Sequence, residues 1–502
     1  MDKILKKALE DLEFPSVLQQ VSARCTTEMG KERTLATVPL PDSESIRLAL
    51  GQTAEYLSSL VSENRIPNHG FDRIDSELKL LKIENTTLEI EGFRKIGNIC
   101  STIASHKKFF KKLREYYPLL FELSEEIEPN TEIQSEINKV IDRFGEVNDK
   151  ASDKLFSIRK EINRVKGKIG QSFTAALNIY NGSDYLDDIR ESVVENRRVL
   201  AVKAMYRRKI KGTVMGSSKT GSIVYIEPEA TLKYSRELNN LEFDEREEIQ
   251  RILNELTAFI RPFAPLLSDF QEFLATMDVT AAKAKYAADT NSVLPEINTE
   301  KRLFLREAYH PLLYLSNSLE NIKTHPQTIE LHDENRIIVI SGPNAGGKSI
   351  TLKTIGLLQV MLQSGLLIPV HERSSVCLFE KILTDIGDNQ SIENHLSTYS
   401  YRLKNMNNFL RKCNENTLFL IDEFGTGSDP ELGGALAEAF LEVFYERNAY
   451  GVITTHYANL KALADELPHT TNANMLFDGK TLEPTFQLVL GEAGSSFTFE
   501  VA

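Results

Sequence analysis

A glycine-rich segment has the residue types that bind phosphate groups. Residues 342–349 (GPNAGGKS) follow a continuous apolar segment, 336–340, and fit the pattern G-x-x-x-x-G-K-[S/T], the Walker A loop. Glycines let successive backbone N–H groups turn toward phosphate oxygens, and the following helix N-terminus adds partial positive charge. The pattern predicts a site for ATP, with Lys348 on the β- and γ-phosphates and Ser349 on Mg²⁺. The predicted loop residues are Gly342, Pro343, Asn344, Ala345, Gly346, Gly347, Lys348 and Ser349.

Two carboxylates follow a second apolar segment. Residues 418–421 (LFLI) precede Asp422 and Glu423, the arrangement called Walker B. An aspartate at the end of a strand can hold Mg²⁺ directly or through a water molecule. The adjacent glutamate can polarise the attacking water as a general base. The pair therefore predicts ATP hydrolysis, with Asp422 as a metal ligand and Glu423 as a catalytic residue.

Two other polar residues are candidates for the same site. His456 ends a third apolar segment, where its ring could sense the γ-phosphate or the attacking water; a structural hydrogen bond is the alternative. Ser397 precedes a predicted helix that runs to about Cys413. It is therefore either an ordinary helix cap or a contact to the phosphates of a second subunit.

The elements that position these residues differ along the chain. From about residue 300, strands over 336–340, 417–421 and 450–454 alternate with helices such as 348–363, which predicts an α/β domain with a mostly parallel sheet. The first 147 residues instead have apolar positions at helical spacing, which predicts an all-helical core.

Two long amphipathic seams predict an arm between these regions. One begins at residue 148, with apolar residues at positions 155, 158, 162, 165 and 169, and the other covers residues 249–263. Such helices could pair antiparallel. The predicted organisation is a helical core and lever (1–147, with a return segment 264–299), a coiled-coil-like clamp arm (148–263) and an ATPase domain (300–502).

Positive charge is concentrated at the predicted tip of this arm. Residues 199–205, 212–215 and 222–226 are short and β-prone, which predicts a small sheet near residues 194–227. From residue 197 to 219 there are eight basic residues and no acidic one, in a chain of net charge −13. The run is either a solvated hairpin without a partner or a non-specific contact to nucleic-acid phosphates. The eight residues are Arg197, Arg198, Lys203, Arg207, Arg208, Lys209, Lys211 and Lys219.

Composition excludes several classes of protein. The 502 residues suggest about three domains, and no run approaches the ~20 apolar residues of a membrane span. The N-terminus lacks the apolar block of a signal peptide, so we predict a soluble, cytoplasmic protein that binds no membrane. Four widely spaced cysteines predict reduced, half-buried thiols. The acidic total argues against a protein that coats nucleic acid with its whole surface.

Together these motifs resemble the ABC-type ATPase of the MutS family, and the basic tract resembles the clamp of its second bacterial branch, MutS-two. The segments that carry the resemblance are 341–349 (SGPNAGGKS), 397–399 (STY), 422–430 (DEFGTGSDP), 454–457 (TTHY), 196–207 and 221–228. It covers essentially the whole chain and implies an ATPase that dimerises around two composite sites. It also implies that Ser397, Ser428 and Asp429 act across the dimer interface. Residues 307–311 would lie near adenine, with Tyr309 as a stacking ring or a core aromatic.

The sequence also departs from the family pattern. Mismatch-reading members begin with a domain that carries a Phe-x-Glu wedge, followed by a connector domain, and neither is recognisable here, so we expect no mismatch scanning. The MutS-two branch normally continues into further helices and an Smr nuclease-like domain. We therefore expect the chain to be a fragment to which nuclease activity is not assigned.

The resemblance implies an ATP-hydrolysing clamp with ATP and Mg²⁺ as cofactors and a homodimer in the full-length protein. The nucleic acid that this clamp binds would be branched or recombining DNA, in which case the protein would suppress recombination. Alternatively, it would be the ribosomal RNA of a stalled or collided ribosome, whose subunits the ATPase would separate. A third alternative is a nucleotide-gated tether with little turnover. The sequence contains no base-reading module that distinguishes DNA from RNA.

Overall fold

The computed structural model describes residues 3–343, 346–387, 398–425, 430–478 and 483–494. The chain divides into two compact units. The first consists of Met1–Asp72, Ser105–Glu128 and Glu272–Ala502, and the second of Arg73–Ala104 and Pro129–Gln271. The second unit contains the whole predicted arm, 148–263, and also residues 73–104, which the sequence analysis assigned to the helical core.

Helices form the N-terminal part of the chain, as the apolar spacing predicts. Several begin at side-chain caps: the side chain of Thr27 accepts a hydrogen bond from the backbone N–H of Gly30, and that of Asp42 from Ser45. In chain order they are α1 (Lys3–Asp11), α2 (Phe14–Ser22), α3 (Glu28–Leu35), α4 (Ser43–Val61), α5 (Asp75–Leu81), α6 (Ile90–Lys112), α7 (Pro118–Glu125) and α8 (Thr131–Val140).

The two amphipathic seams fold as long helices of the second unit. The first is α9 (Asp153–Asn181), whose apolar stripe is buried from Leu155 to Val165. It packs against α10 (Glu229–Ile260). The second seam was predicted as one element to residue 263, but α10 ends at Ile260, where Pro262 lies in a 3₁₀ turn, Arg261–Phe263, before α11 (Ala264–Asp289).

A four-stranded antiparallel sheet lies between α9 and α10 in the sequence. Its strands are β1 (Leu186–Val194), β2 (Arg197–Lys203), β3 (Gly212–Ser217) and β4 (Ile223–Pro228), in the order β1-β2-β4-β3. The sequence analysis missed β1. It also extended a strand to residue 205, whereas β2 ends at Lys203 and Ala204–Lys209 forms a 3₁₀ turn.

In the first unit, the last two hundred residues form α/β structure with two sheets. Its elements are β5 (Glu296–Ile297), β6 (Leu303–Ala308), α12 (Pro311–Glu320), β7 (Gln327–Leu331), β8 (Ile337–Ser341), α13 (Lys348–Gln363), β9 (Ser375–Val376), β10 (Lys381–Asp385), α14 (Thr398–Lys412), β11 (Thr417–Ile421), α15 (Pro430–Glu446), β12 (Tyr450–Thr454), α16 (Ala458–Glu466), β13 (Thr470–Asp478) and β14 (Glu483–Leu490). The larger sheet has the order β10-β11-β12-β8-β13-β14, and only the β13–β14 pair is antiparallel. This confirms the predicted mixture of helices with a mostly parallel sheet.

Both faces of this sheet are covered, which explains its continuously apolar strands. On β8, Ile338 and Ile340 belong to one core cluster, which also includes Leu352 of α13. The alternate residues Ile337 and Val339 belong to a second cluster, with residues of α14, α15 and α16. Burial on both faces therefore fixes β8 and the start of α13, and with them the loop between residues 341 and 348.

A buried carboxylate on α11 joins elements of the first unit. Asp278 is fully buried and accepts hydrogen bonds from the backbone N–H of Thr26 (2.8 Å), the hydroxyl of Thr27 (2.6 Å) and Nε2 of His69 (3.0 Å). Burial alone would raise the pKa of this carboxyl, but these hydrogen bonds hold the pKa below its usual value. Asp278 therefore stays charged and ties α11 to the N-terminal helices.

The structure bears on two expectations drawn from the composition, the state of the cysteines and the lack of a membrane span. All four cysteines are free, as predicted, but they are buried rather than half-buried. Among the described residues, no helix has the length and apolar character that a bilayer crossing requires.

Candidate functional site

Three predicted motifs meet at one edge of the larger sheet. The strands β11, β12 and β8 are parallel neighbours, so their carboxyl ends lie side by side. The glycine-rich loop follows β8, the two acids follow β11, and His456 follows β12. The edge is therefore a continuous polar site above three buried strands.

The described part of the loop after β8 turns at two glycines. Gly342 and Gly347 have φ angles of 128° and 93°, in the left-handed region that favours glycine. A Cβ atom on Gly342 would lie 3.2 Å from the carbonyl oxygen of Met475. The backbone N–H of Gly346 donates to the carbonyl of Pro343 (3.0 Å). Asn344 and Ala345 lie outside the described residues.

Lys348 starts α13 with its side chain buried at the site. Its Nζ donates to the carbonyl oxygen of Gly342 (2.6 Å) and lies 3.4 Å from Nε2 of His456. Burial lowers the pKa of Lys348 to about 8, although the carboxylates of Asp422 and Glu423 act in the opposite direction. Ser349, the next residue of α13, is half-buried. The phosphate and metal roles of these two residues stay predictions.

The two acids are positioned by Thr454, a residue to which the sequence analysis gave no role. The buried hydroxyl of Thr454 donates to Oδ1 of Asp422 (2.5 Å) and accepts from the backbone N–H of Glu423 (2.7 Å). The parallel register pairs Ile421 with Ile453, which places Thr454 beside Asp422. Threonine is common in strands, so only this register would have indicated its role.

The backbone at Glu423 is strained. Its φ of 48° is unusual for a residue other than glycine, and such strain is concentrated at functional sites. The following backbone N–H, that of Phe424, donates to the carbonyl of Thr454 (2.9 Å). The neighbouring strand therefore holds Glu423 in this conformation.

His456 lies beside the loop lysine with a neutral ring. Burial lowers the pKa of His456, and the charge of Lys348 lowers it further. An ammonium group can only donate, so Nε2 of His456 accepts in the 3.4 Å contact. This contact fits a structural hydrogen bond as well as a sensing role, and both interpretations remain.

The oxygen ligands at this edge suit Mg²⁺. One oxygen of Asp422 is bound to Thr454, and the other accepts no hydrogen bond from the described residues. The described part of the chain has no cluster of three or more His, Cys, Asp or Glu that could hold a metal. Asp422 and Ser349 both have side-chain oxygens, the ligands that Mg²⁺ prefers, and Mg²⁺ commonly takes few protein ligands and keeps water and phosphate oxygens.

A cavity of about 330 Å³ lies next to the loop. Its apolar walls come from residues such as Leu313, Ile350 and Phe486. Gly347, at the end of the loop, is also a lining residue, and a Cβ atom on it would lie 3.2 Å from the ring of Phe486. The cavity therefore adjoins the end of the loop. Neither Phe486 nor Gln327, which also lines it, was singled out from the sequence, because neither lies in a recognisable motif.

Tyr309 is placed beside this cavity but does not line it. Its neighbours Ala308 and His310 are lining residues. The ring of Tyr309 packs instead edge-on against Tyr314, with centroids 5.3 Å apart, and its backbone N–H donates to the carbonyl of Pro369 (3.0 Å). Its role as a base-stacking ring stays a prediction.

The basic segment of the second unit divides into paired and free residues. Acids outside the segment neutralise three members: Glu227 pairs with Arg197 (2.9 Å), Glu191 with Arg198 (2.5 Å) and Asp184 with Lys203 (2.6 Å). The other five are exposed and form no ion pair with any described residue. We call these five the free basic group: Arg207, Arg208, Lys209, Lys211 and Lys219.

Side-chain packing and backbone hydrogen bonds fix the segments that carry the free basic group. Three of its members lie in or beside the 3₁₀ turn Ala204–Lys209, whose Tyr206 packs against Tyr185 with centroids 4.9 Å apart. The backbone N–H of Ala204 donates to the carbonyl of Ser222 (2.9 Å), which links this turn to the β3–β4 hairpin that carries Lys219. The group is therefore presented by ordered backbone.

The structure does not test the three residues predicted to act across a dimer interface. Ser397, Ser428 and Asp429 lie outside the described residues, so their proposed action across a dimer interface stays a prediction.

Comparison with known proteins places this site in a family. Residues 338–502, which contain all three strand-end motifs, match the family model MutS domain V. Over 99% of the chain, identity is 36% to the protein named Endonuclease MutS2 of Leuconostoc mesenteroides and 37% to that of Ligilactobacillus salivarius. The chain belongs to the MutS family, on its MutS2 branch. The resemblance inferred from the motifs is thereby confirmed.

The MutS2 relatives are longer than this chain. It covers 62% of the Leuconostoc protein and 63% of the Ligilactobacillus protein, and likewise 63% of the MutS2 of Bacillus velezensis, to which it is 34% identical. The similarity therefore includes the second unit with its basic segment as well as the part matched by MutS domain V.

Proposed function

We propose that this MutS2-like chain hydrolyses ATP with Mg²⁺ and uses the nucleotide to control its grip on DNA. The observation that carries the first part is the hydrogen-bonded group Asp422–Thr454–Glu423 beside the loop lysine. One side chain thus holds both the carboxylate of Asp422 and the backbone of Glu423 at this edge of the sheet. A site that only bound nucleotide would need no second carboxylate in this position.

Each residue has a distinct role in this proposal. The loop glycines and the N-terminus of α13 bind the phosphates, and Lys348 moves from the carbonyl of Gly342 to the β- and γ-phosphates. Asp422 and Ser349 would hold Mg²⁺, which would supply positive charge to neutralise the phosphates. Glu423 takes the proton of the attacking water, while His456 contacts the γ-phosphate or this water.

The proposed DNA contact is the free basic group. Five exposed cations without protein partners, in a chain of net charge −13, are what a phosphate-backbone contact needs. Because phosphate contacts carry no sequence information, we propose non-specific binding, as suits branched or recombining DNA. From the resemblance to the MutS family we propose that this binding serves to suppress recombination and that the full-length protein acts as a homodimeric clamp.

The hydrolysis step is tested by Glu423→Gln. Removing a general base slows a reaction by about 10²- to 10⁴-fold, so phosphate release should fall by at least 100-fold while ATP still binds. The matched control is Glu442→Gln, which changes an exposed glutamate of α15. Phosphate release that stays at the background level in the unmodified chain and is unchanged in Glu423→Gln would reject the hydrolase and leave a nucleotide-gated tether.

The polymer is tested separately. We expect a four-way DNA junction to be retarded in a gel in a salt-dependent way, and the chain not to co-sediment with ribosomes at the same salt. The reverse result would replace DNA with ribosomal RNA and leave the ATPase proposal unaffected.

A further inference from the structure

A second group of basic residues lies at the end of α6, in the part of the first unit formed by Ser105–Glu128. Between residues 107 and 114 there are five basic side chains and no acidic one. Glu125 neutralises one of them, Lys107, at 2.8 Å. The other four are exposed and form no ion pair with any described residue. We call these four the α6 basic group: Lys108, Lys111, Lys112 and Arg114.

Three of these cations lie on one face of α6. Positions 108, 111 and 112 are three and four residues apart, so their side chains are neighbours on the helix surface, and like charges at these spacings repel each other. The negative end of the helix dipole offsets part of this repulsion in the last turn, but Arg114 lies beyond the helix, which ends at Lys112. Because a bound anion would relieve the repulsion, the α6 basic group indicates a surface for a polyanion.

An exposed aromatic ring follows this group in the sequence. Tyr116 is 74% exposed, and its backbone N–H donates to the carbonyl of Leu113 (3.0 Å). The next residue, Tyr117, is buried and stacks on Phe109, with ring centroids 5.9 Å apart. The hydroxyl of Tyr117 also donates to the carbonyl of Asn64 (3.1 Å). Ordered backbone therefore presents the ring of Tyr116 to solvent.

We propose that the α6 basic group and Tyr116 form a second DNA site, which binds single strands. The cations contact the phosphates, and the ring of Tyr116 stacks on an unpaired base. The bases of a duplex are stacked on one another, so the ring gains this contact only with a single strand. The choice of DNA over RNA rests on the proposed function, whereas the site itself is separate from the free basic group, which belongs to the second unit.

A lipid surface fits these residues less well than a single strand does. A helix that lies on a membrane presents a broad apolar face, usually with several large side chains. Of residues 105–117, only Tyr116 is both large and apolar and exposed, while Phe110 and Leu113 are buried. One exposed ring beside several cations is instead the combination by which proteins bind single-stranded nucleic acid.

The charge contribution is tested by the α6 variant, Lys108→Gln, Lys111→Gln and Lys112→Gln. Each phosphate contact to a single strand contributes about 0.7 to the slope of log affinity against log salt concentration, so this variant should reduce the magnitude of the slope by about 2.1. Between about 50 and 200 mM salt, the unmodified chain should therefore lose about 18-fold more affinity than the variant loses. The assay is fluorescence anisotropy of a labelled oligothymidine, which does not pair with itself.

Two controls accompany the α6 variant. Lys31, Arg373 and Arg411 are exposed cations elsewhere in the first unit, and their replacement by Gln removes the same charge but should leave the slope unchanged. Replacing the three lysines of α6 by Arg keeps their charge and should keep the affinity for oligothymidine to within about threefold.

The stacking contribution is tested by Tyr116→Ala. Loss of one stacked base should weaken oligothymidine binding by about 5- to 100-fold, while the salt slope stays the same because no charge is removed. Duplex affinity should not change, since a duplex offers no unpaired base to the ring. The matched control is Tyr116→Phe, which keeps the ring and should keep the affinity.

The failures can be told apart. If the α6 variant keeps the slope of the unmodified chain, or if Tyr116→Ala binds oligothymidine as tightly as before, the second site is wrong, while duplex binding by the free basic group and the proposed function stand. Tighter binding of oligouridine than of oligothymidine would overturn the choice of DNA. Binding to phosphatidylserine vesicles without binding to oligothymidine would replace the single strand by a lipid surface. If neither oligothymidine nor duplex DNA binds, the proposed DNA function fails as well.

Discussion

Neutralising part of the free basic group should change how DNA binding depends on salt. The perturbation is the triple variant Arg207→Gln, Arg208→Gln and Lys209→Gln, in the 3₁₀ turn Ala204–Lys209. Each phosphate contact contributes about 0.9 to the slope of log affinity against log salt concentration. If all five members of the group contact phosphates, the slope is about −4.5, and the triple variant lowers its magnitude to about 1.8.

These slopes predict a large measurable difference. Between about 50 and 200 mM salt, duplex affinity should fall about 500-fold for the unmodified chain and only about 12-fold for the triple variant. The assay is fluorescence anisotropy of a labelled duplex over a salt series. Basal ATP hydrolysis should not change, because the turn belongs to the second unit and the ATP site to the first.

The control removes the same charge elsewhere in the second unit. Lys233, Arg236 and Arg246 are exposed on α10, and their replacement by Gln should leave the slope near −4.5. The reasoning would be refuted if this control reduced the magnitude of the slope as much as the triple variant does. The effect would then come from the net charge of the protein and not from direct contacts to DNA phosphates. A loss of basal ATPase in the triple variant would show that the turn supports the fold instead.

Other predictions concern the first unit. Lys348→Ala should weaken ATP binding by about 10- to 100-fold in calorimetry, since a charge-assisted contact to phosphate is lost; unchanged affinity would contradict its role. Gly356→Ala should lower stability by about 1–3 kcal/mol in thermal unfolding, because its Cβ would lie 2.4 Å from the side chain of Leu420, and an unchanged melting temperature would count against the packing described. Asp278, with its pKa below the usual 3.8, stabilises the fold above that pH and loses this contribution as the pH falls through the folded pKa. Asp278→Asn should therefore lower the free energy of unfolding by about 1–3 kcal/mol near pH 7. It should also reduce the loss of stability, measured by denaturant unfolding, as the pH falls into the acid range. An equally steep loss in the variant would show that Asp278 is not the source of this pH dependence.

Motifs flanked by buried apolar strands were predictable from the sequence. The bounds of α13, β11 and β12 agree with the prediction, because strands covered on both faces are continuously apolar and the loop pattern marks the helix start. Strand β1 was missed because only the first of its nine residues is buried and four of them are charged. In addition, its turn to β2 uses Glu195 and Asn196 at positive φ, with no glycine as a signal.

Long-range partners explain the remaining differences. The run of eight basic residues contains no acid, so nothing local showed that Glu191 and Glu227 pair with two of its members. Similarly, Gln327 and Phe486 meet through a hydrogen bond between residues 159 positions apart. Contacts of this kind depend on which strands become neighbours in the folded protein, and the spacing of apolar residues along the sequence does not specify this.

The central claim is that nucleotide at the glycine-rich loop controls how tightly the free basic group holds DNA. The most direct measurement is the affinity of one DNA junction for the protein with ATP, with ADP and without nucleotide, with Glu423→Gln included to maintain the ATP state. We predict at least a fivefold difference between the ATP and nucleotide-free states, and the same factor in ATP affinity when DNA is added, because coupling is reciprocal. Equal DNA affinity in all three states would contradict the account.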